Sequence, residues 1–279
     1  MKTVFGISEA RSIVKQWKKE GDTVGFVPTM GFLHEGHGSL IKKARENDKV
    51  VVSIFVNPLQ FGENEDFGRY PRDFEKDCLF CETYGADLVF HPDVSEMYMP
   101  DFCTFVDMTG LTQNLCGASR PGHFRGVCTV VAKLFNIINP DRAYFGEKDA
   151  QQLAVIRQMV QDLSMDIEIV ACPIVREPDG LAKSSRNSYL NDEERKAALV
   201  LSRALKYAEN MVKEGTKNSA EVISAIKRII ESEPLAHIDY VKAVDGLTMK
   251  DLEIIGPQTL IAAAVYIGKT RLIDNFTVK

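Results

Sequence analysis

The chain has 279 residues, room for two domains on the usual scale of roughly 100–200 residues each. Its composition, 45% hydrophobic and 26% charged, is that of an ordinary folded protein and excludes a low-complexity scaffold. A formal charge of -5 and a pI near 5.7 exclude broad electrostatic contact with a nucleic-acid backbone, which requires a strongly basic surface.

The longest apolar runs, residues 49–56 and 260–267, are far shorter than the roughly 20 residues a membrane span needs. With no signal-like apolar core at the N-terminus, the expected location is the cytoplasm. Six cysteines at 78, 81, 103, 116, 128 and 172 are too sparse for a disulfide framework and are expected as reduced thiols. Cys78 and Cys81 form a CxxC inside a helix-like run, with no second pair to complete a zinc site, so no protein metal site is expected.

In chain order, β-type runs at residues 23–28, 49–56, 86–91, 142–146 and 166–172 alternate with helical patterns at 39–47, 73–84, 122–138 and 149–163. That alternation predicts βαβ units around a parallel sheet. After Cys172 a loop bearing proline and glycine, residues 173–191, leads to a predicted long helix over 192–214, which Asn191 caps with Glu194 at the third position. A second helix over 219–232 follows. Three β-like runs, 237–244, 259–267 and 271–277, are then joined by the turn formers Asp245-Gly246 and Gly268-Lys269. The expected fold class is α/β: a Rossmann-like parallel-sheet N-terminal domain, residues 1–173, with a smaller α+β C-terminal domain, residues 174–279.

The segment Val27-Pro28-Thr29-Met30-Gly31-Phe32-Leu33-His34-Glu35-Gly36-His37 runs from a strand end into a helix, the place where open α/β sheets bind ligands. Two imidazoles, His34 and His37, can face one anion. Gly36 permits close backbone approach, and the helix adds N–H groups and the positive end of its dipole. The combination predicts a phosphate cradle. A second cluster, Lys183-Ser184-Ser185-Arg186-Asn187, offers two cations and two hydroxyls in the loop between the domains, a pattern that suits closure over a triphosphate. A third, Phe145-Gly146-Glu147-Lys148-Asp149, again follows a strand and opens a helix. Gly146 and the helix N-terminus suit a ribose or a phosphate, and Lys148 can neutralise an α-phosphate.

These segments resemble the HxGH and KMSKS-type signatures of the nucleotidyltransferase superfamily that includes class I aminoacyl-tRNA synthetases, the second being degenerate here as Lys-Ser-Ser-Arg. Three longer stretches sharpen the likeness: Ser53-Ile54-Phe55-Val56-Asn57-Pro58-Leu59-Gln60-Phe61-Gly62, Arg120-Pro121-Gly122-His123-Phe124-Arg125-Gly126-Val127, and Phe145-Gly146-Glu147-Lys148-Asp149-Ala150-Gln151-Gln152. With these the chain resembles, end to end, the pantothenate synthetases, the pantoate-beta-alanine ligase family.

The resemblance implies ATP-dependent ligation of pantoate and beta-alanine, with AMP and pyrophosphate released through an enzyme-bound pantoyl adenylate. It implies His37 as proton donor, with His34 and Lys148 in the chemistry. Met30, Gly31, His34, Gly36, His37, Gly146, Glu147, Lys148, Asp149, Val175, Lys183, Ser184, Ser185 and Arg186 would line the ATP site. Asp149 would hold ribose hydroxyls and Val175 would meet adenine through its backbone. Gln60 and Gln152 would bind pantoate, Gln60 also seeing beta-alanine. Magnesium is expected to enter with the triphosphate, its ligands being ATP oxygens and water, and a homodimer is the family habit.

Val130 and Val131 stand equally as pocket wall and as helix core. The roles of His123, Arg72 and Asp73 stay open. Gly38 and Ala150 depart from the family pattern at places where bulkier residues are expected to fit equally well. Three other readings compete: a nucleotidyltransferase that leaves the nucleotide on its product, a truncated aminoacyl-tRNA synthetase, which the negative charge disfavours, and a nucleotide sensor with a decayed site.

Overall fold

The computed structural model describes residues 1–63 and 65–279. Strands β1 (Lys2–Val4), β2 (Val24–Thr29), β3 (Lys49–Ile54), β4 (Leu88–Phe90), β5 (Arg142–Gly146) and β6 (Glu168–Cys172) form one six-stranded sheet in the order β1-β4-β3-β2-β5-β6, parallel throughout. Helices α1 (Ile7–Glu20), α2 (Glu35–Ala44), α3 (Phe74–Tyr84), α4 (Val94–Met97), α5 (Leu115–Ser119), α6 (His123–Ile138) and α7 (Ala150–Asp162) occupy the connections. The central strands are apolar on both faces, β3 reading Val50, Val51 and Val52 at full burial, because both faces are covered.

Before residue 23 no element was expected, yet β1 and α1 are present. α1 ends at Gly21, whose φ of 91° turns the chain so that the Asp22 N–H reaches back to the carbonyl of Trp17. Elsewhere the helix starts shift: α2 begins at Glu35 rather than 39, since the two histidines themselves form its first turn.

The chain comprises two compact units. The first gathers Met1–Met108, Pro121–Glu147 and Val155–Pro173, and the second Thr109–Arg120, Lys148–Ala154 and Ile174–Lys279. In the second, α8 (Asp192–Ala197), α9 (Leu199–Lys213) and α10 (Ser219–Glu231) accompany β7 (Ala236–Asp245), β8 (Thr259–Ile267) and β9 (Thr270–Thr277), which form an antiparallel sheet. Val200, Leu201, Ala204, Leu205 and Ala208 of α9 and Val222, Ile226 and Ile230 of α10 recur at helical spacing and bury against Ile261, Ala263 and Val265 of β8. The fold class is therefore the expected one, a Rossmann-like α/β domain with a smaller α+β domain.

Two local expectations fail. The helix predicted over 192–214 divides at Ala198, because Leu201 N–H turns to the Ala198 carbonyl, a three-residue spacing that breaks the four-residue register. Its start is as expected: Asn191 Oδ1 accepts from Glu194 N–H at 2.9 Å, and Glu194 Oε2 accepts from Asn191 N–H at 3.1 Å. Asp245-Gly246 does not close a tight hairpin. Asp245 accepts from the N–H groups of Leu247 and Thr248 and opens a loop over residues 246–258, whereas Gly268-Lys269 makes the two-residue turn between β8 and β9.

Among the described residues no helix is long and apolar enough to cross a membrane. All six cysteines are free thiols. Burial pushes the Cys81 and Cys128 thiols up to about 12, while Cys103 lies exposed. At pH 8 a chromogenic disulfide reagent is expected to react with Cys103 while Cys81 and Cys128 stay silent until the chain is unfolded, since the thiolate is the reacting form. Thiol counting before and after denaturant checks this.

Candidate active site

In the first unit the chain steps from β2 outward to β3 and β4, then returns to place β5 on the other side of β2. β2 is therefore the topological switch point, where sheets of this class open a ligand crevice. The pairing shows it: β2 and β5 are in register only at Gly25 with Arg142 and Phe26 with Ala143, although β2 continues to Thr29 and β5 to Gly146. The two strands part at their carboxyl ends. The expected segments leave from these ends, residues 30–37 from β2 and Gly146-Glu147 from β5.

The histidines are built into the start of α2. His34 is its N-cap, with Nδ1 accepting from Gly36 N–H at 3.1 Å, and His37 Nδ1 accepts from His34 N–H at 3.2 Å. The reciprocal pair satisfies two helix-terminal donors, the task usually given to a hydroxyl and a carboxylate. The ring centroids lie 4.1 Å apart. An imidazole accepting through Nδ1 carries its proton on Nε2 when neutral, so each ring retains a donor beside the positive end of the helix dipole. Directly beyond them, Gly38 packs on Tyr84: a Cβ there would lie only 2.3 Å from Tyr84 Cε1. The expectation that a bulkier residue fits at Gly38 is thus corrected, since α2 and α3 approach too closely.

Met30, on the segment that goes on to Gly31, His34, Gly36 and His37, meets Gln60, whose Nε2 lies 2.8 Å from Met30 Sδ. Gln60 closes a single 3-10 turn, Pro58–Gln60, and is almost wholly buried. Its amide is held by a residue that the sequence did not single out. Asn57 donates from Nδ2 to Gln60 Oε1 at 3.2 Å and to the Gly126 carbonyl at 3.1 Å, while its Oδ1 accepts from Tyr98 Oη at 2.8 Å. Asn57 thereby holds the Gln60 amide through its oxygen. His123, left open above, has Nδ1 2.8 Å from the Gln60 carbonyl oxygen and braces the same turn.

Val130 and Val131 are buried on α6. Arg72 donates to the Tyr70 and Phe67 carbonyls, and Asp73 caps α3 by accepting from Lys76 N–H; both serve their own loop.

The remaining expected residues belong to the second unit. Lys148 and Asp149 lie in a 3-10 turn, Glu147–Asp149, with Lys148 Nζ 3.8 Å from Asp149 Oδ2 and the Lys148 carbonyl accepting from Asn275 Nδ2 at 2.9 Å. Gln152 is half-buried on α7. Its neighbour Gln151 has an internal task, donating to the Leu111 and Asn114 carbonyls and accepting from Gly117 N–H. Ala150 packs with Ala154 beside Leu115 and Val244.

Val175 and Lys183 face each other, the Val175 carbonyl accepting from Lys183 N–H at 2.9 Å, across a short antiparallel pairing of Arg176 with Ala182. Arg176 grips the buried Asp274 carboxylate with both guanidinium arms, at 2.7 and 2.9 Å, a bidentate geometry that anchors the loop base on β9. Lys183 Nζ lies 3.7 Å from Glu177. Ser184 caps the turn Ser185–Tyr189 by accepting from Arg186 N–H, and Ser185 is buried. Among the described residues no group of three or more His, Cys, Asp or Glu side chains could hold a metal ion.

Gly126 decides how closely α6 approaches the Gln60 turn, since a Cβ there would fall on the Leu59 carbonyl. Gly126→Ala is expected to lower stability by about 1–3 kcal/mol, the usual scale for forcing an extra carbon into a packed contact. The urea midpoint at unchanged slope measures it.

The family model for pantoate-beta-alanine ligase matches residues 2–277. The pantothenate synthetase of Ruminiclostridium cellulolyticum is 64% identical over 277 residues, 99% of each chain, and that of Clostridium botulinum 59% identical over 280 residues, 100% of each. A crystal structure of pantothenate synthetase from Thermus thermophilus matches with a TM-score of 0.95 at 46% identity, covering 99% of both chains. One of pantoate-beta-alanine ligase from Francisella tularensis, complexed with beta-gamma ATP and beta-alanine, matches at 0.81 with 36% identity over 99% of this chain and 97% of that one. With the parted strands, the imidazole pair and the buried glutamine all lying inside the matched span, the chain belongs to the pantoate-beta-alanine ligase family.

Proposed function

We propose that this enzyme ligates pantoate to beta-alanine at the expense of ATP, releasing AMP and pyrophosphate through an enzyme-bound pantoyl adenylate. The observation that carries the reading is the His34–His37 pair at the N-terminus of α2, on the strand end where β2 and β5 part. Such a site concentrates N–H donors and a positive dipole where a leaving polyphosphate builds charge.

A carboxylate resists attack by an amine because its leaving group would be oxide. In the first step a pantoate carboxylate oxygen bonds to the α-phosphorus of ATP, and the bond to the bridging oxygen of the β-phosphate breaks. His34 and His37 donate to the departing pyrophosphate, His37 supplying its proton from Nε2, and Lys183, Ser184, Ser185 and Arg186 add cations and hydroxyls. Lys148 neutralises the α-phosphate. Met30, Gly31, Gly36, Gly146 and Glu147 line the nucleotide, Asp149 takes the ribose hydroxyls, and the backbone of Val175 meets adenine. Gln60 and Gln152 bind pantoate through its hydroxyl and carboxylate. The amine of beta-alanine then attacks the acyl carbon, the bond to the phosphate oxygen breaks, AMP leaves, and the nitrogen sheds a proton.

Under this reading residues 1–173 carry the ATP and pantoate groups and residues 174–279 the Lys-Ser-Ser-Arg loop. Magnesium arrives with ATP as part of the substrate, and phosphate oxygens and water supply its ligands. The enzyme works in the cytoplasm as a homodimer, without nucleic-acid or membrane partners.

Incubation with ATP, magnesium, pantoate and beta-alanine, omitting each in turn, tests the function: AMP and pantothenate should appear together only in the complete mixture. His37→Ala and Lys148→Ala are each expected to slow adenylation by about a hundredfold or more, the scale for losing a proton donor or a preorganised charge. Gln60→Ala and Gln152→Ala should instead weaken pantoate binding, by about 1–3 kcal/mol for polar groups left unpaired. Ligand titration separates the two classes, and weakened ATP binding with normal pantoate affinity would assign the glutamines to the other substrate.

A further inference from the structure

We propose that Asp77 is a positioning residue for the adenylation step, holding the loop that aims His34 and His37; the inference rests on the adenylate reading above. Asp77 lies on α3, far along the chain from the imidazoles, and is 2% exposed. Its two carboxylate oxygens are spent on consecutive backbone donors of the loop before α2: Oδ2 accepts from Phe32 N–H and Oδ1 from Leu33 N–H, each at 2.7 Å. These are short, charge-assisted bonds. Burial pushes the carboxyl up, and the two N–H groups pull it only part of the way back, so the N–H pair offsets part of the cost of taking a carboxylate out of water.

The loop needs this support. Gly31 and Phe32 are both left-handed, at φ 84° and 49°, and for phenylalanine that conformation is strained and persists only where the surroundings impose it. Consecutive N–H groups on such a left-handed bend form a concavity that ordinarily receives an anion. Here the protein fills it with its own carboxylate. The fit is tight, since a Cβ on Gly31 would lie 2.9 Å from Asp77 Oδ2.

The N–H groups from residue 31 to residue 34 are thus bound in series: Gly31 to Thr29 Oγ1 at 3.1 Å, Phe32 and Leu33 to Asp77, and His34 to His37 Nδ1. A displacement of residues 32–33 passes directly to His34 N–H, and through it to the His37 ring. Asp77 touches no substrate in this scheme; it fixes where the two imidazole donors stand.

Asp77→Asn keeps the shape but turns an NH2 group toward one loop N–H, and Asp77→Glu keeps the charge but pushes the carboxylate one methylene further into the loop. The test uses the full chain and both half-reactions. Pantoate-dependent exchange of labelled pyrophosphate into ATP reports adenylation, and AMP release from synthetic pantoyl adenylate with beta-alanine reports the second step, which has no pyrophosphate to stabilise. Exchange is expected to fall by about tenfold to a hundredfold in either variant, as for small misplacements of reacting groups, with AMP release from the supplied adenylate unchanged. Equal loss in both half-reactions, or wild-type exchange in Asp77→Asn, would overturn the proposal; should Asp77→Asn not fold, Asp77→Glu decides by the same comparison. Absence of exchange in the wild-type enzyme itself would refute the adenylate reading instead.

Discussion

The first turn of an α-helix has backbone N–H groups that the helix cannot satisfy, and in this chain two imidazoles satisfy a pair of donors at the start of α2. That constraint organises the N-terminal site. Because His34 and His37 spend Nδ1 on Gly36 and His34 N–H, their rings are fixed by the helix start, and Nε2 is the nitrogen left to carry the proton. In the proposed reaction the residues that begin the helix are therefore also its anion donors, and the dipole behind them has the sign a leaving pyrophosphate needs.

Around this point the first unit is layered. The parting of β2 from β5 opens the crevice, and the Asp77 carboxylate holds the bend that leads into it. On the adjoining strand end, Asn57, itself anchored on the Gly126 carbonyl of α6, holds Gln60, and Gly126 permits that approach. In the second unit the Arg176–Asp274 pair roots the loop that carries Lys183 to Arg186. Rigid supports of this kind are what a reaction sensitive to fractions of an ångström requires.

Much of this was legible in the sequence. Continuous apolar runs marked the parallel strands, and His-x-Gly-His marked the strand-to-helix junction at which the two imidazoles meet. What escaped notice had physical causes. β1 is a three-residue strand pairing at the edge, too short for a periodic signal. The break at Ala198 occurs at a residue with helical dihedrals and good helix propensity, so nothing local announces it. Asp77 reaches Phe32 and Leu33 at 45 and 44 residues' separation, and Asn57, besides its neighbour Gln60, is anchored by Tyr98 and Gly126 at 41 and 69 residues' separation; one-dimensional spacing cannot report such distant partners. Gly38 looked replaceable because the ring that excludes a side chain there, Tyr84, comes from another helix.

The central claim is that the carboxylate of pantoate attacks the α-phosphate, and an isotope decides it most directly. Pantoate labelled with oxygen-18 in its carboxylate, turned over with ATP and beta-alanine, should deliver one labelled oxygen to AMP, with unlabelled pyrophosphate as the other product. Label appearing in inorganic phosphate, with ADP formed in place of AMP, would mean attack at the γ-phosphate and would contradict the adenylate account.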